Sequence, residues 1–227
     1  VAILVGDLAL VYAEDMFQDS GLSAAALHRA RSPWRGMRTE VIGGQLLDIS
    51  LEAAGSESVE LANSVNRYKT AAYTIERPLH LGAAIAGASE ELIAAFRGYG
   101  HDIGIAYQLR DDQLGVFGDP AVTGKPAGDD LREGKRTELL ALALQRADES
   151  DPQAAATLRK LIGHTSDPQE LSRLAQIIAD SGAPEEIERR IDALTRSGLQ
   201  HLHAAQVDPA VTEALEQLAI KATARRK

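Results

Sequence analysis

Residues 90–117, EELIAAFRGYGHDIGIAYQLRDDQLGVF, decide the fold. Ser89 stands in front as a capping hydroxyl, and Ile, Ala, Leu, Val and Phe fill the stretch, so it reads as one long apolar helix. Gly100 and Gly104 sit one turn apart. Glycine weakens a helix by about 1 kcal/mol against alanine, so a neighbouring helix is expected to need the space above them. Near the end the apolar run is broken by Tyr107-Gln108-Leu109-Arg110-Asp111-Asp112. Asp111 and Asp112 follow Gln108 by three and four residues, which on a helix turns all three to one side. Two adjacent carboxylates in apolar surroundings repel each other and lose hydration unless a cation joins them. Mg²⁺ suits the position, because it takes one or two carboxylates and fills its shell with water and substrate phosphate. The plainer reading is a solvated pair neutralised by Arg110.

Around this helix the chain is helical nearly throughout. Aromatic residues make up 4%, Ala and Leu are abundant, and few stretches alternate in the manner of strands, so the predicted class is all-α. Helices are expected over 1–18, 22–31, 34–54 and from Ser58 to a break at Arg77-Pro78, with Pro33 ending the second. A short segment at 79–86 precedes the long helix. Residues 118–136 carry four Gly, two Pro, four acidic and four basic residues and read as a charged loop of the kind that covers binding sites. Helices follow over 137–147, 152–162, 168–180, 184–205 and 209–225, several starting at proline. There is no internal repeat to suggest a solenoid.

Composition narrows the function. With 227 residues, 44% hydrophobic, the chain fills a sizeable core, and a net charge of −9 without a basic stripe argues against nucleic-acid binding. The absence of cysteine removes disulfides and thiolate chemistry, and with no targeting signal the cytoplasm is the expected compartment. The apolar run at Val1–Ala13 is too short to span a bilayer and reads as a buried helix. Met16, Phe17 and Trp34 are core or interface candidates. His101 beside Asp102 reads as a satisfied polar pair, and His201 and His203 as surface residues.

The charged loop holds Lys125 in Thr123-Gly124-Lys125-Pro126 and Lys135-Arg136 before Thr137. Paired carboxylates followed by loop lysines suggest a polyphosphate ligand. A P-loop is excluded, since five residues separate each Gly from the Gly-Lys step and no Ser/Thr follows the lysine. Lys69-Thr70 lies just ahead of the proline break, where an ammonium, a hydroxyl and a freed carbonyl can face one cavity.

The series Gly43-Gly44-Gln45-Leu46-Leu47-Asp48, Tyr68-Lys69-Thr70, Tyr107 to Asp112, Gly118-Asp119, Thr123 to Pro126 and Asp130 to Thr137 resembles the trans-polyprenyl diphosphate synthases, in order and in spacing. Thr74-Ile75-Glu76-Arg77-Pro78-Leu79-His80-Leu81-Gly82-Ala83 is similar to the actinobacterial geranylgeranyl type. The resemblance implies a helical bundle around a deep central cavity, usually homodimeric, that uses Mg²⁺ to join isopentenyl diphosphate to an allylic prenyl diphosphate. It implies Mg²⁺ ligation by Asp111 and Asp112, and diphosphate binding by Lys69, Lys125 and Lys135. Thr70 and Gln108 are implied near the allylic carbon, with Gln45 and Asp48 lining the cavity. Two departures stand out. The motif's third Asp is replaced by Gly115, for which Asp119 is a possible substitute if the helix continues. The single domain, 1–227, also starts where the family has roughly 100 residues behind it, among them the first aspartate-rich motif, so a truncated or partial chain is expected. A noncatalytic subunit of a heteromeric synthase and a class I terpene cyclase are the alternatives.

Overall fold

A computed structural model describes residues 1–124 and 127–224. Its helices are α1 (Ala2–Gln18), α2 (Ala24–Ala54), α3 (Val59–Val65), a π-helical segment (Asn66–Glu76), α4 (Arg77–Ala86), α5 (Glu90–Phe117), α6 (Pro120–Thr123), α7 (Asp129–Glu133), α8 (Glu138–Ser150), α9 (Pro152–Leu161), α10 (Pro168–Asp180), α11 (Ala183–His203) and α12 (Pro209–Thr223). The described residues contain no strand, in keeping with the all-α reading. Hydroxyl and carboxylate caps set the starts: Ser23, Ser58, Ser89 and Thr137 accept from backbone N–H groups of the first turn, and Asp151, Asp167 and Asp208 do so ahead of a proline.

The long helix α5 is the axis. The π segment, α4, α7, α8, α11 and α12 all pack on it. Ile105, Ala106, Leu109 and Val116 join Leu139, Leu144, Leu158, Leu174, Ile178, Ile187 and Ile191 in the main core. A second cluster gathers Tyr99, Ile103, Leu202 and Ala219, and the Tyr99 hydroxyl donates to Leu215 O at 2.7 Å. The polar cluster of α5 divides here. Arg110 turns away from the aspartates and forks onto Glu188, with Nε donating to Thr223 O at 2.8 Å. The pairing of Arg110 with the aspartates is therefore not the arrangement adopted.

The glycines of α5 meet the π segment. A Cβ on Gly100 would lie 2.4 Å from Glu76 Cα and one on Gly104 2.5 Å from Ala71 Cα. On the opposite side a Cβ on Gly44 of α2 would lie 2.4 Å from Lys69 N. The π segment is thus clamped between two helices at backbone contact distance.

Several expected boundaries are corrected. The break at Pro33 is absent, and α2 runs through it for 31 residues. Pro33 is buried, and Arg29, four residues earlier, donates from Nε to Ala84 O and from Nη2 to Ile85 O, both at 2.8 Å. Packing of α2 on α4 outweighs the lost N–H. The break at Arg77-Pro78 is absent too, because the helix changes register instead of ending. On leaving the π register one carbonyl goes unclaimed, and a proline in the first turn of α4 forfeits little there. The 118–136 loop contains α6 and α7, each closed by a positive-φ glycine, Gly124 and Gly134. The helix 209–225 is described to Thr223.

The helix α1, expected to be buried, has no buried residue. Phe17 stacks on Trp34 at 4.7 Å and the Trp34 indole donates to Glu14 at 2.7 Å, while Val1, Ile3, Leu4, Val5 and Met16 are exposed. Apolar composition alone did not tell a core helix from one without cover in a single chain. His101 Nδ1 pairs with Asp102 at 2.8 Å, and His201 and His203 are exposed, both as expected; His201 also approaches Asp102, at 3.6 Å, and His203 pairs with Glu216. No described helix is long and apolar enough to cross a membrane.

Candidate active site

A cavity of about 70 Å³ opens between α2, the junction of α3 with the π segment, α5 and the stretch that leads into α8. Its lining is Asp48, Ala62, Val65, Asn66, Lys69, Thr70, Gln108, Asp112, Lys135, Arg136 and Thr137. Six of the residues expected at a site are therefore brought together: Asp48, Lys69, Thr70, Gln108, Asp112 and Lys135. Gln45 and Asp111, both half-buried, do not line it. Lys125 lies outside the described residues.

The π segment makes this convergence. Held close by Gly44, it points Lys69 at α2, where the ammonium pairs with Asp48. Held close by Gly104, it points Thr70 at α5, where the hydroxyl donates to Gln108 Oε1 at 2.8 Å. The amide of Gln108 then donates to Asp112 Oδ1 at 2.7 Å. Thr70, Gln108 and Asp112 form a relay of fixed polarity from hydroxyl to carboxylate. Only Asp112 of the aspartate pair joins it. Adjacent helical residues diverge by about 100°, enough to separate the two when the cavity is narrow.

Asp112 is buried, and its Oδ2 has no hydrogen-bond partner among the described residues. Burial pushes its carboxyl well above the ordinary range, and the charges of Asp130 and Asp111 add to this, against the hydrogen bond from Gln108. A carboxylate so placed has an unmet demand for positive charge.

The replacement of the third motif aspartate has a physical counterpart. A Cβ on Gly115 would lie 2.0 Å from Asp130 Oδ2 and 2.3 Å from its Cγ. The carboxylate of Asp130, at the start of α7, occupies the space that a side chain at 115 would fill. Asp130 is itself buried and accepts from Lys135 Nζ at 2.5 Å. Burial works against the Lys135 ammonium, but the bond and charge of Asp130 outweigh it and raise its pKa. Asp119 does not substitute for the missing residue, since α5 ends at Phe117 and Asp119 Oδ1 caps α6 by accepting from Ala121 N at 2.8 Å.

Asn66, Thr137 and Asp130 were not singled out from the sequence as site residues, whereas Arg136 was named beside Lys135 in the basic loop. Asp130 and Thr137 stand inside the resembling stretch Asp130 to Thr137, and that membership was the available signal. Asn66 is one polar residue in an amphipathic helix and carries no signal.

The family profile "Polyprenyl synthetase" matches residues 1–180. The chain is 40% identical over 151 residues to the geranylfarnesyl diphosphate synthase of Aeropyrum pernix, covering 64% of this chain and 46% of that protein. It is 40% identical over 113 residues to the geranylgeranyl diphosphate synthase of Mycobacterium tuberculosis, covering 50% of this chain and 32% of that one. Among solved structures, the geranylgeranyl pyrophosphate synthase of Corynebacterium glutamicum complexed with isoprenyl diphosphate and magnesium superposes with a TM-score of 0.96 at 65% identity, over 99% of this chain and 63% of that one. The chain thus spans less than half the length of these two curated relatives and under two thirds of the solved one.

Proposed function

Because the chain belongs to the polyprenyl synthetase family, we propose that its cavity serves head-to-tail prenyl transfer, in which an allylic diphosphate is extended by isopentenyl diphosphate to geranylgeranyl, farnesyl or a longer diphosphate. The observation that carries this reading is the relay Thr70–Gln108–Asp112 beside Lys69 and Lys135 in one cavity. Names of the similar proteins, all prenyl diphosphate synthases, favour this over a regulatory subunit or a cyclase.

The donor set fits Mg²⁺. Asp112 offers a buried carboxylate oxygen without a hydrogen-bond partner among the described residues, Asp111 is its neighbour, and hard carboxylate oxygens are what this ion takes. No ready group of three ligands occurs among the described residues, so substrate oxygens and water would complete the shell. When bound, the ion supplies charge neutralisation to a departing diphosphate. The chain's own residues do the rest. Lys69 and Lys135 hold the diphosphate, and Lys125, outside the described residues, is assigned the same role. Thr70 and Gln108 present oxygens to the developing allylic cation, and the Gln108 amide keeps its orientation by donating to Asp112. Asp48 sets the position of Lys69, with Gln45 one turn away on α2.

Exposed Leu4, Leu8 and Val11 of α1 and Ile42, Leu46 and Ile49 of α2 suit a homodimer face. A cytoplasmic location agrees with the lack of cysteine and of a described spanning helix.

The complete gene product, incubated with isopentenyl diphosphate and geranyl or farnesyl diphosphate, is expected to give Mg²⁺-dependent elongation ending at one chain length. A folded protein that binds diphosphate and extends nothing would overturn the reading.

A further inference from the structure

Both described lysines on the cavity wall are already engaged, Lys69 by Asp48 and Lys135 by Asp130. Two other donors on the same wall are not. The amide nitrogen of Asn66 and Nε of Arg136 are buried and have no hydrogen-bond partner among the described residues. Asn66 is 5% exposed, so water reaches it poorly, and its neighbours along the lining, Ala62 and Val65, are apolar. A leucine would fill that place without leaving a polar group unpaired. Buried donors without acceptors are uncommon, and each calls for an acceptor, either ordered water or a ligand.

The chemistry of that acceptor follows from its surroundings. Arg136 approaches from the start of α8, with its guanidinium tip near Gly55 at the end of α2, and Asn66 approaches from the first residue of the π segment. With Lys69 and Lys135 they line one cavity, and four donor-bearing side chains around it call for a ligand with several anionic oxygens. We propose that Asn66 and Arg136 are additional diphosphate ligands, the amide N–H of one and the Nε–H of the other donating to phosphate oxygens. The inference rests on the reading of the cavity as a diphosphate site. It assigns part of the anion binding to two residues outside the lysine pairs, and it accounts for a polar side chain at position 66 beside Ala62 and Val65.

The test uses the complete gene product, with inorganic pyrophosphate and Mg²⁺ as probe, measured by titration calorimetry together with thermal unfolding of the free protein. Asn66→Leu and Arg136→Gln are each expected to weaken pyrophosphate binding at least fivefold. Asn66→Leu is also expected to raise the Tm of the free protein, since it removes an unpaired buried amide, and a purely structural Asn66 would lower it instead. Pyrophosphate affinity within twofold of the parent in both variants would overturn the proposal and leave ordered water as the acceptor. If the parent itself fails to bind pyrophosphate with Mg²⁺, the diphosphate reading of the cavity falls and takes this inference with it.

Discussion

Gly115 shows how one atom decides a site. By the family pattern, an Asp there would restore a lost carboxylate. In this fold a Cβ at 115 would fall 2.0 Å from Asp130 Oδ2, so the two side chains exclude one another. Gly115→Ala is expected to displace Asp130, loosen Lys135 and cost about 1–3 kcal/mol in denaturant unfolding, in the range of overpacked sites. Gly115→Asp is expected to lower Mg²⁺-dependent pyrophosphate affinity, and a gain in affinity would refute this account. Glu138 supplies a second residue-level case. It is fully buried beside Arg190, and burial raises its carboxyl to about 7 despite that partner. Because the folded pKa exceeds the unfolded one, the folded state holds the extra proton. Stability is then full below about 4.5, falls as pH rises towards 7 and levels off above it, for a loss on the order of 3 kcal/mol. Glu138→Gln should flatten that slope, as seen in Tm measured from pH 4 to 8.

At the level of elements, the π segment is the device that builds the cavity. It packs between α2 and α5 on glycines, and the wider register places Lys69 and Thr70 towards different helices. Gly44→Ala would put a Cβ 2.4 Å from Lys69 N, and Gly100→Ala one 2.4 Å from Glu76 Cα. Both are backbone contacts that cannot swing aside, so both should destabilise by about 1–3 kcal/mol. They should differ in function. Gly44→Ala disturbs the residue that pairs with Asp48 and is expected to reduce elongation at least tenfold, whereas Gly100→Ala acts at the far end of the segment, where Glu76 pairs with Arg67 and Arg97. Equal activity losses at equal stability would show that the segment responds as a rigid rod.

For the whole molecule, the apolar surface of α1 and α2 sets the expected assembly. Leu46 and Ile49 are 65% and 53% exposed on a helix whose other side holds the cavity. If the proposed dimer forms through this face, replacing both with Glu is expected to shift the complete gene product towards a monomer in light scattering, and an unchanged mass would overturn the assignment of this face. The cavity also couples ligand to global stability, because its walls come from α2, the π segment, α5 and the approach to α8. Mg²⁺ with pyrophosphate should therefore raise Tm in proportion to occupancy, and chelation by EDTA should return it to the free value.

The helical class, the caps, the axial helix over residues 90–117 and six of the residues that line the candidate cavity were legible in the sequence, because periodicity, Ser/Asp/Pro chemistry and paired carboxylates are local signals. The close approach over Gly100 was legible as well, since glycine inside an apolar helix asks for a neighbour. The continuity of α2 through Pro33, the π register after Val65, the exposure of α1, and the seat of Asp130 against Gly115 were decided by tertiary structure alone. Each depends on which element lies opposite. Local propensities differ by a few kcal/mol at most, and the contact between packed elements outweighs them.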